Sequence, residues 1–207
     1  VASVEMLNEE WNSESLLRHV ASSTKEYHAL IDTGALITGF DNEQVARKLL
    51  ELGLKWCDGV VFLDEYDRKK ILVRETNRVM DASQCGVPLE RRFVFYDQIH
   101  TTGTDVKHKL DAVAAVTLGK DMTLRDYTQG CWRMRGIAKG QKIVVLMVDE
   151  VKKLVTDVMG VSKSPTSMTD KLVGVVSWLI TNSLRSEEMQ YLQLLQQNLS
   201  KPSFETW

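Results

Sequence analysis

The chain has 207 residues, 43% hydrophobic and 26% charged, which suits one α/β domain with an appendage and a core that needs no disulfide or metal staple. A formal net charge of −2 excludes a global basic field, so a polyanion would have to meet a local patch. Three scattered cysteines, Cys57, Cys85 and Cys131, show no Cys-x-x-Cys or Cys/His spacing, and imply reduced thiols, an intracellular (cytoplasmic or nuclear) setting and no metal site.

Residues 1–27 are polar apart from an amphipathic stretch around Trp11, Leu16 and Leu17. Residues 28–37 read as a buried strand. A helix then starts at an Asp41 N-cap, carries Val45, Leu49 and Leu52 on one face, and stops at Gly53. Residues 59–64 and 70–74 make two strands around a charged turn at 65–69. Further strands are expected at 93–96, 112–118 and 143–148, with helical spacing over 124–138. Strands alternating with helices predict a mainly parallel sheet with helices on its faces. After a polar linker at 162–167, residues 171–199 read as an all-α tail. No apolar run reaches the roughly 18 residues of a membrane span, no signal peptide is expected, and a first residue of Val rather than Met suggests a piece of a larger polypeptide.

The chemistry-bearing residues concentrate between Phe93 and Glu150. A strand runs into the turn Thr101, Thr102, Gly103, Thr104, Asp105, where Gly103 would let the backbone approach a phosphate and the threonines could hydrogen-bond it. Asp97 and His100 precede this turn as a candidate polar site. The following helix carries Gln129, Arg133 and Arg135. The two arginines point about 200° apart on an ideal helix, so they share a ligand only if the helix ends between them, and Gly136 invites an early end. Each feature also has a plain structural reading: a salt-bridged face for the arginines, a cap for Thr104 and Asp105, a hydrogen-bonded core group for His100.

The Gly103–Asp105 turn resembles motif V of superfamily 2 helicases, which ends in Gly-x-Asp. Residues 129–135, Gln-Gly-Cys-Trp-Arg-Met-Arg, resemble motif VI, usually Gln-x-x-Gly-Arg-x-x-Arg. Trp132 stands where the glycine is usual, and the second arginine comes one position early. Over most of Ala29–Glu150 the strings ALIDTGALITG, VVFLDEYD, YDQIHTTGTD and LGKDMTLRDYTQGCWRMRGIAKGQ are similar to very large eukaryotic proteins with helicase-like regions and adjoining domains of unknown function. Gln98 replaces an acid common in that group. Some of its members are catalogued as ubiquitin thioesterases, a label no residue here supports.

The resemblance implies a RecA-like C-terminal lobe over 28–160, a helical lead-in at 1–27 and a helical appendage at 161–207. In such a lobe Arg133, with Arg135 and Gln129, would reach the γ-phosphate of a nucleotide. Thr101, Thr102, Gly103, Thr104 and Asp105 would contact polymer backbone. A Gly-x-x-x-x-Gly-Lys-Ser/Thr loop is missing from the 207 residues, so ATP and Mg²⁺ are expected only together with a preceding P-loop lobe of the same polypeptide. Nucleic acid is a candidate partner, a protein bound through the C-terminal helices another, and no membrane is expected. The competing expectation is a degenerate lobe kept as a scaffold. Three imitations are set aside. Asp32-Thr33-Gly34 matches aspartic proteases but has no second copy. Asp64-Glu65 imitates a Walker B pair but reads better as a hairpin turn. Cys85 with His100 lacks anything to activate the thiol.

Overall fold

The structure, a computed structural model, describes residues 1–8, 10–101, 105–160 and 167–200. Chain order is β1 (Ser3–Met6), α1 (Ser13–Ser22), β2 (Ala29–Ile31), α2 (Asn42–Leu52), β3 (Gly59–Leu63), β4 (Lys69–Val73), β5 (Arg78–Asp81), β6 (Arg92–Tyr96), β7 (Val113–Thr117), α3 (Leu124–Cys131), β8 (Lys142–Met147), α4 (Asp149–Met159) and α5 (Met168–Ser200). Single 3₁₀ turns occur at Leu89–Arg91, Ile99–Thr101 and Ile137–Lys139.

The apolar runs of β3, β6, β7 and β8 are buried almost throughout, as strands covered on both faces must be. They belong to one eight-stranded sheet in the order β1-β8-β7-β2-β6-β3-β4-β5. From β1 to β3 every pairing is parallel; β4 and β5 extend that edge antiparallel. This is the expected α/β class, a mainly parallel sheet flanked by helices with a helical C-terminal element, consistent with a RecA-like lobe. The crossovers β1–α1–β2 and β2–α2–β3 advance along the sheet in one direction and β7–α3–β8 in the other. Right-handed connections then put their helices on opposite faces, and accordingly α1 packs on α2 while α3 and α4 pack on α5. Among the described residues no helix is long and apolar enough to cross a membrane.

Helix starts follow local chemistry. Asn12, Asp41 and Thr123 each cap a helix through a reciprocal box with Ser15, Gln44 and Asp126. Gly53 ends α2 as expected, but for a different reason. Its φ is extended, and a Cβ there would sit 2.2 Å from the Ala21 carbonyl oxygen, so only glycine lets α1 and α2 close up. The last turn of α2 is tied down by Arg74, whose guanidinium donates to the carbonyls of Leu50, Gly53, Leu54 and Cys57 at 2.9–3.0 Å. Leu50 is one of the acceptors a helix end leaves without intrahelical partners; the other three belong to the C-cap and the chain leading into β3.

Two expected elements are shorter than their apolar patterns suggested. The run 28–37 yields only a three-residue strand, because Asp32 turns back to accept the backbone N–H groups of Leu36 and Ile37 at 3.0 and 2.9 Å. The helix expected over 124–138 stops at Cys131, where the chain tightens into i−3 hydrogen bonds from Arg133 to Gly130 and Met134 to Cys131. Trp178, Tyr27, Tyr96 and Phe93 are the largest fully buried side chains. Trp178 lies on the inner face of α5 with Val175 and Leu179, which anchors that helix to the body; removing such a side chain costs about 3–5 kcal/mol.

Candidate site at the carboxyl edge of the sheet

β2 and β7 are neighbours, yet the loops that leave them lead to helices on opposite faces. A crevice opens at such a switch point, beyond the carboxyl ends of the strands. It measures about 510 Å³ here and is lined by Thr33–Ala35 after β2, Gln98 after β6, Gly119–Met122 after β7, and Asp126 and Gln129 of α3.

The two walls touch backbone to backbone. A Cβ on Gly34 would lie 2.5 Å from the Gly119 nitrogen, and one on Gly119 would lie 2.6 Å from the Gly34 carbonyl oxygen. Thr117 locks the contact: its hydroxyl accepts from the Gly34 N–H at 2.9 Å and donates to Asp32 Oδ1 at 2.7 Å. Burial pushes the Asp32 carboxyl above its ordinary range, against the pull of Thr117 and the two backbone donors. Asp32-Thr33-Gly34 is therefore a loop clasp, not half of a protease dyad. Thr33 is buried, and its Oγ1 has no hydrogen-bond partner among the described residues. Neither Lys120 nor Asp121 forms an ion pair among the described residues, and the backbone N–H groups of the first turn of α3 are partly taken up by the Thr123–Asp126 box.

Gln129 is half-buried and lines this crevice. Arg133 and Arg135 both lie beyond the end of α3 and diverge. Arg133 is buried, and its charge is felt at the Tyr96 phenol. Arg135 is exposed, pairs with Asp105 at 3.5 Å and lies 5.9 Å from the centre of the Trp132 ring. Neither arginine lines the crevice. The Asp105 carbonyl also accepts from the Lys69 ammonium at 2.5 Å. Thr101 closes the 3₁₀ turn Ile99–Thr101, while Thr102, Gly103 and Thr104 lie outside the described residues. At the end of β6 the Tyr96 hydroxyl sits 3.0 Å from His108 Nε2. Burial lowers His108 to about 4, overriding the opposite influence of Asp105, so the neutral ring accepts from the phenol.

Asp97 and His100 do come together, but in a second crevice over β3 and β6, also lined by Phe40, Asp41, Asp64 and Ile99. Asp97 Oδ1 takes the backbone N–H and Nδ1 of His100, whose Nε2 lies 2.8 Å from Asp67 Oδ1. Both ring nitrogens are thus engaged by carboxylates, which leaves no ring nitrogen to activate Cys85. Asp64 binds the N–H groups of Tyr66 and Arg68 and the Arg68 side chain, so this acidic pair is the turn of the β3–β4 hairpin. No group of three His, Cys, Asp or Glu side chains suited to a metal occurs among the described residues.

Sequence reasoning missed Gly119, Lys120, Asp121 and Asp126, and noticed Thr33 and Gly34 only as an imitation of a protease motif. A usable signal existed: Gly34 and Gly119 each follow a buried strand and precede a helix, the position where an α/β sheet builds its ligand crevice. No protein-family model, curated protein or solved structure matches the chain.

Proposed function

We propose that this chain is the non-hydrolysing half of a composite nucleotide site: the second RecA-like lobe of an intracellular helicase-like ATPase. A P-loop lobe elsewhere in the same polypeptide would bring ATP and Mg²⁺. The observation that carries this reading is a convergence. The Arg135–Asp105 ion pair joins the two segments that resemble motifs V and VI across 30 positions, while Gln129 lines the switch-point crevice between β2 and β7. In that role Gln129 orients the nucleotide, and Arg135 is the side chain free enough of the core to swing towards a γ-phosphate once Asp105 releases it. An arginine supplied in this way accelerates phosphoryl transfer by about 10³–10⁵. Nucleic acid would be met along the segment ending at Asp105.

A second reading has its own support. Arg133 is buried and Arg135 is already engaged by Asp105 and Trp132, as in a lobe kept as a scaffold after its chemistry was lost. Turnover measurements on the polypeptide that carries the P-loop lobe separate the two. In the composite site, Arg135→Ala lowers kcat by about a hundredfold or more and leaves nucleotide binding nearly intact. A kcat that survives both Arg135→Ala and Gln129→Ala leaves the scaffold.

A further inference from the structure

The 33-residue helix α5 is apolar on two opposite sides, and the body covers only one. Val175, Trp178 and Leu179 form the buried side. Gly174 lets α4 approach, since a Cβ there would already meet Val155 at 3.0 Å. Asn182 donates to the Met122 carbonyl at 2.9 Å, and Ser183 Oγ accepts from the Leu124 N–H at 3.0 Å. Beyond Ser183 the helix leaves the body, and residues 184–199 are exposed apart from a half-buried Ser186.

The other side is a stripe that ignores this boundary. Val173, Val176, Ile180, Leu184, Tyr191 and Leu195 are all exposed, by 39% to 62%. Their positions, with Glu187 completing the set, step by 3, 4 and 4 residues, an eleven-residue repeat of about 3.67 residues per turn. At about 100° per residue they share one face, roughly half a turn from Trp178. The stripe is about 33 Å long at 1.5 Å per residue. Such a face is the seam of a nearly straight helix pair.

We propose that this seam is closed by α5 of a second copy, running antiparallel. Three observations select that occupant. Two such stripes covering each other remove on the order of 1,000 Å² from water, the threshold of a specific interface. From Met189 to Ser200 the helix carries no charge, so a partner of strong charge is disfavoured, whereas a second copy presents the same leucines and glutamines in a self-complementary way. Charge then fixes the direction. A parallel pair sets Glu187 beside Glu187 in the seam. An antiparallel pair centred between Ser186 and Glu187 brings Arg185 of each copy level with Glu188 of the other, on the same flank. It also lays the free outer half of each helix over Val173, Val176 and Ile180 of the other, so one arrangement covers both exposed halves.

Sedimentation of the chain across concentration tests this. A dimer dissociating in the micromolar range or tighter is expected. Ile180→Glu and Leu184→Glu, both at exposed positions, should shift it to monomer while helix content and melting temperature stay at the values of the wild type diluted below its dimer range. Arg185→Glu and Glu188→Arg, each of which breaks both symmetry-related cross-helix contacts, should each weaken association by about tenfold, and the double variant should restore it. A double variant as weak as the single ones overturns the antiparallel pairing. A wild-type chain that stays monomeric up to about 100 μM, where a micromolar dimer would be nearly saturated, overturns the proposal.

Discussion

The carboxyl edge of the sheet holds two crevices of similar size and opposite character. Over β3 and β6 the charged groups are largely used up: Asp97 and Asp67 hold His100, Asp64 holds its hairpin turn, Asp41 caps α2 and Glu43 pairs with Arg47. Between β2 and β7 the backbone is tightly clasped, but Thr33 Oγ1, Lys120 and Asp121 are unspent among the described residues. The first crevice uses its polar groups to fix loops. The second fixes its loops with glycine contacts and one buried carboxylate, which leaves side chains for something else. Internally satisfied polar groups contribute to stability; unsatisfied ones in a rigid frame point to a ligand.

That contrast can be broken most directly at the clasp. Gly119→Ala pushes a methyl group into the Gly34 backbone and should cost about 2–3 kcal/mol in urea unfolding. Gly86→Ala, with nothing within 4 Å of the added carbon, should stay within about 0.5 kcal/mol; equal effects would mean that the two walls do not touch. Next in size, His100→Ala strips the satisfied crevice of its central donor and should cost about 1–3 kcal/mol. If His100→Ala were neutral, the hydrogen bonds to Asp97 and Asp67 would be incidental.

The segment 105–112, which leads back to β7, offers a pH test. An unfolded His108 binds a proton near 6.5 and the folded one only near 4, so the unfolded state holds more protons in between. Stability is then lost as pH falls through that window. His28, lowered by its own burial, acts in the same direction. The lowered carboxylates Glu5, Asp58, Asp64 and Asp111 start from 4.5 or 3.8 and act mostly below about pH 5. Melting His108→Gln beside the wild type at pH 7.5 and pH 5 should show a smaller loss in the variant; identical losses would refute a buried neutral His108. The smallest expected effect sharpens the comparison from the open side. Gln129→Ala and Asp121→Ala should each change stability by less than about 0.5 kcal/mol, since neither side chain is in use among the described residues. A larger loss would show the open crevice to be as structural as its neighbour.

The strands with continuous apolar runs were legible, because burial on both faces leaves no polar alternation to confuse them. Edge strands were not: β1 and β5 are short and half-exposed, and nothing local marks them. The overlong strand at 28–37 and the overlong helix at 124–138 share a cause. Leu36, Ile37, Met134 and Ile137 continue the apolar pattern after the backbone has turned, and what turns it is a pair of backbone hydrogen bonds to Asp32 or a tightening at Gly130, neither of which has a periodicity. The site was legible only in part. Gln129 lies in the crevice, whereas Arg133 and Arg135 lie outside it. The Gly34–Gly119 contact spans 85 positions, a proximity that local spacing cannot encode.

Arg74 has one more consequence. A single guanidinium holds four carbonyls from the end of α2 and the chain leading into β3, while its own backbone follows β4. The hairpin cannot peel from the sheet without releasing the helix end, nor can the helix end fray alone. In native-state hydrogen exchange the last turn of α2 and the β3–β4 ladder should therefore open as one cooperative unit, with a common free energy and a common response to denaturant.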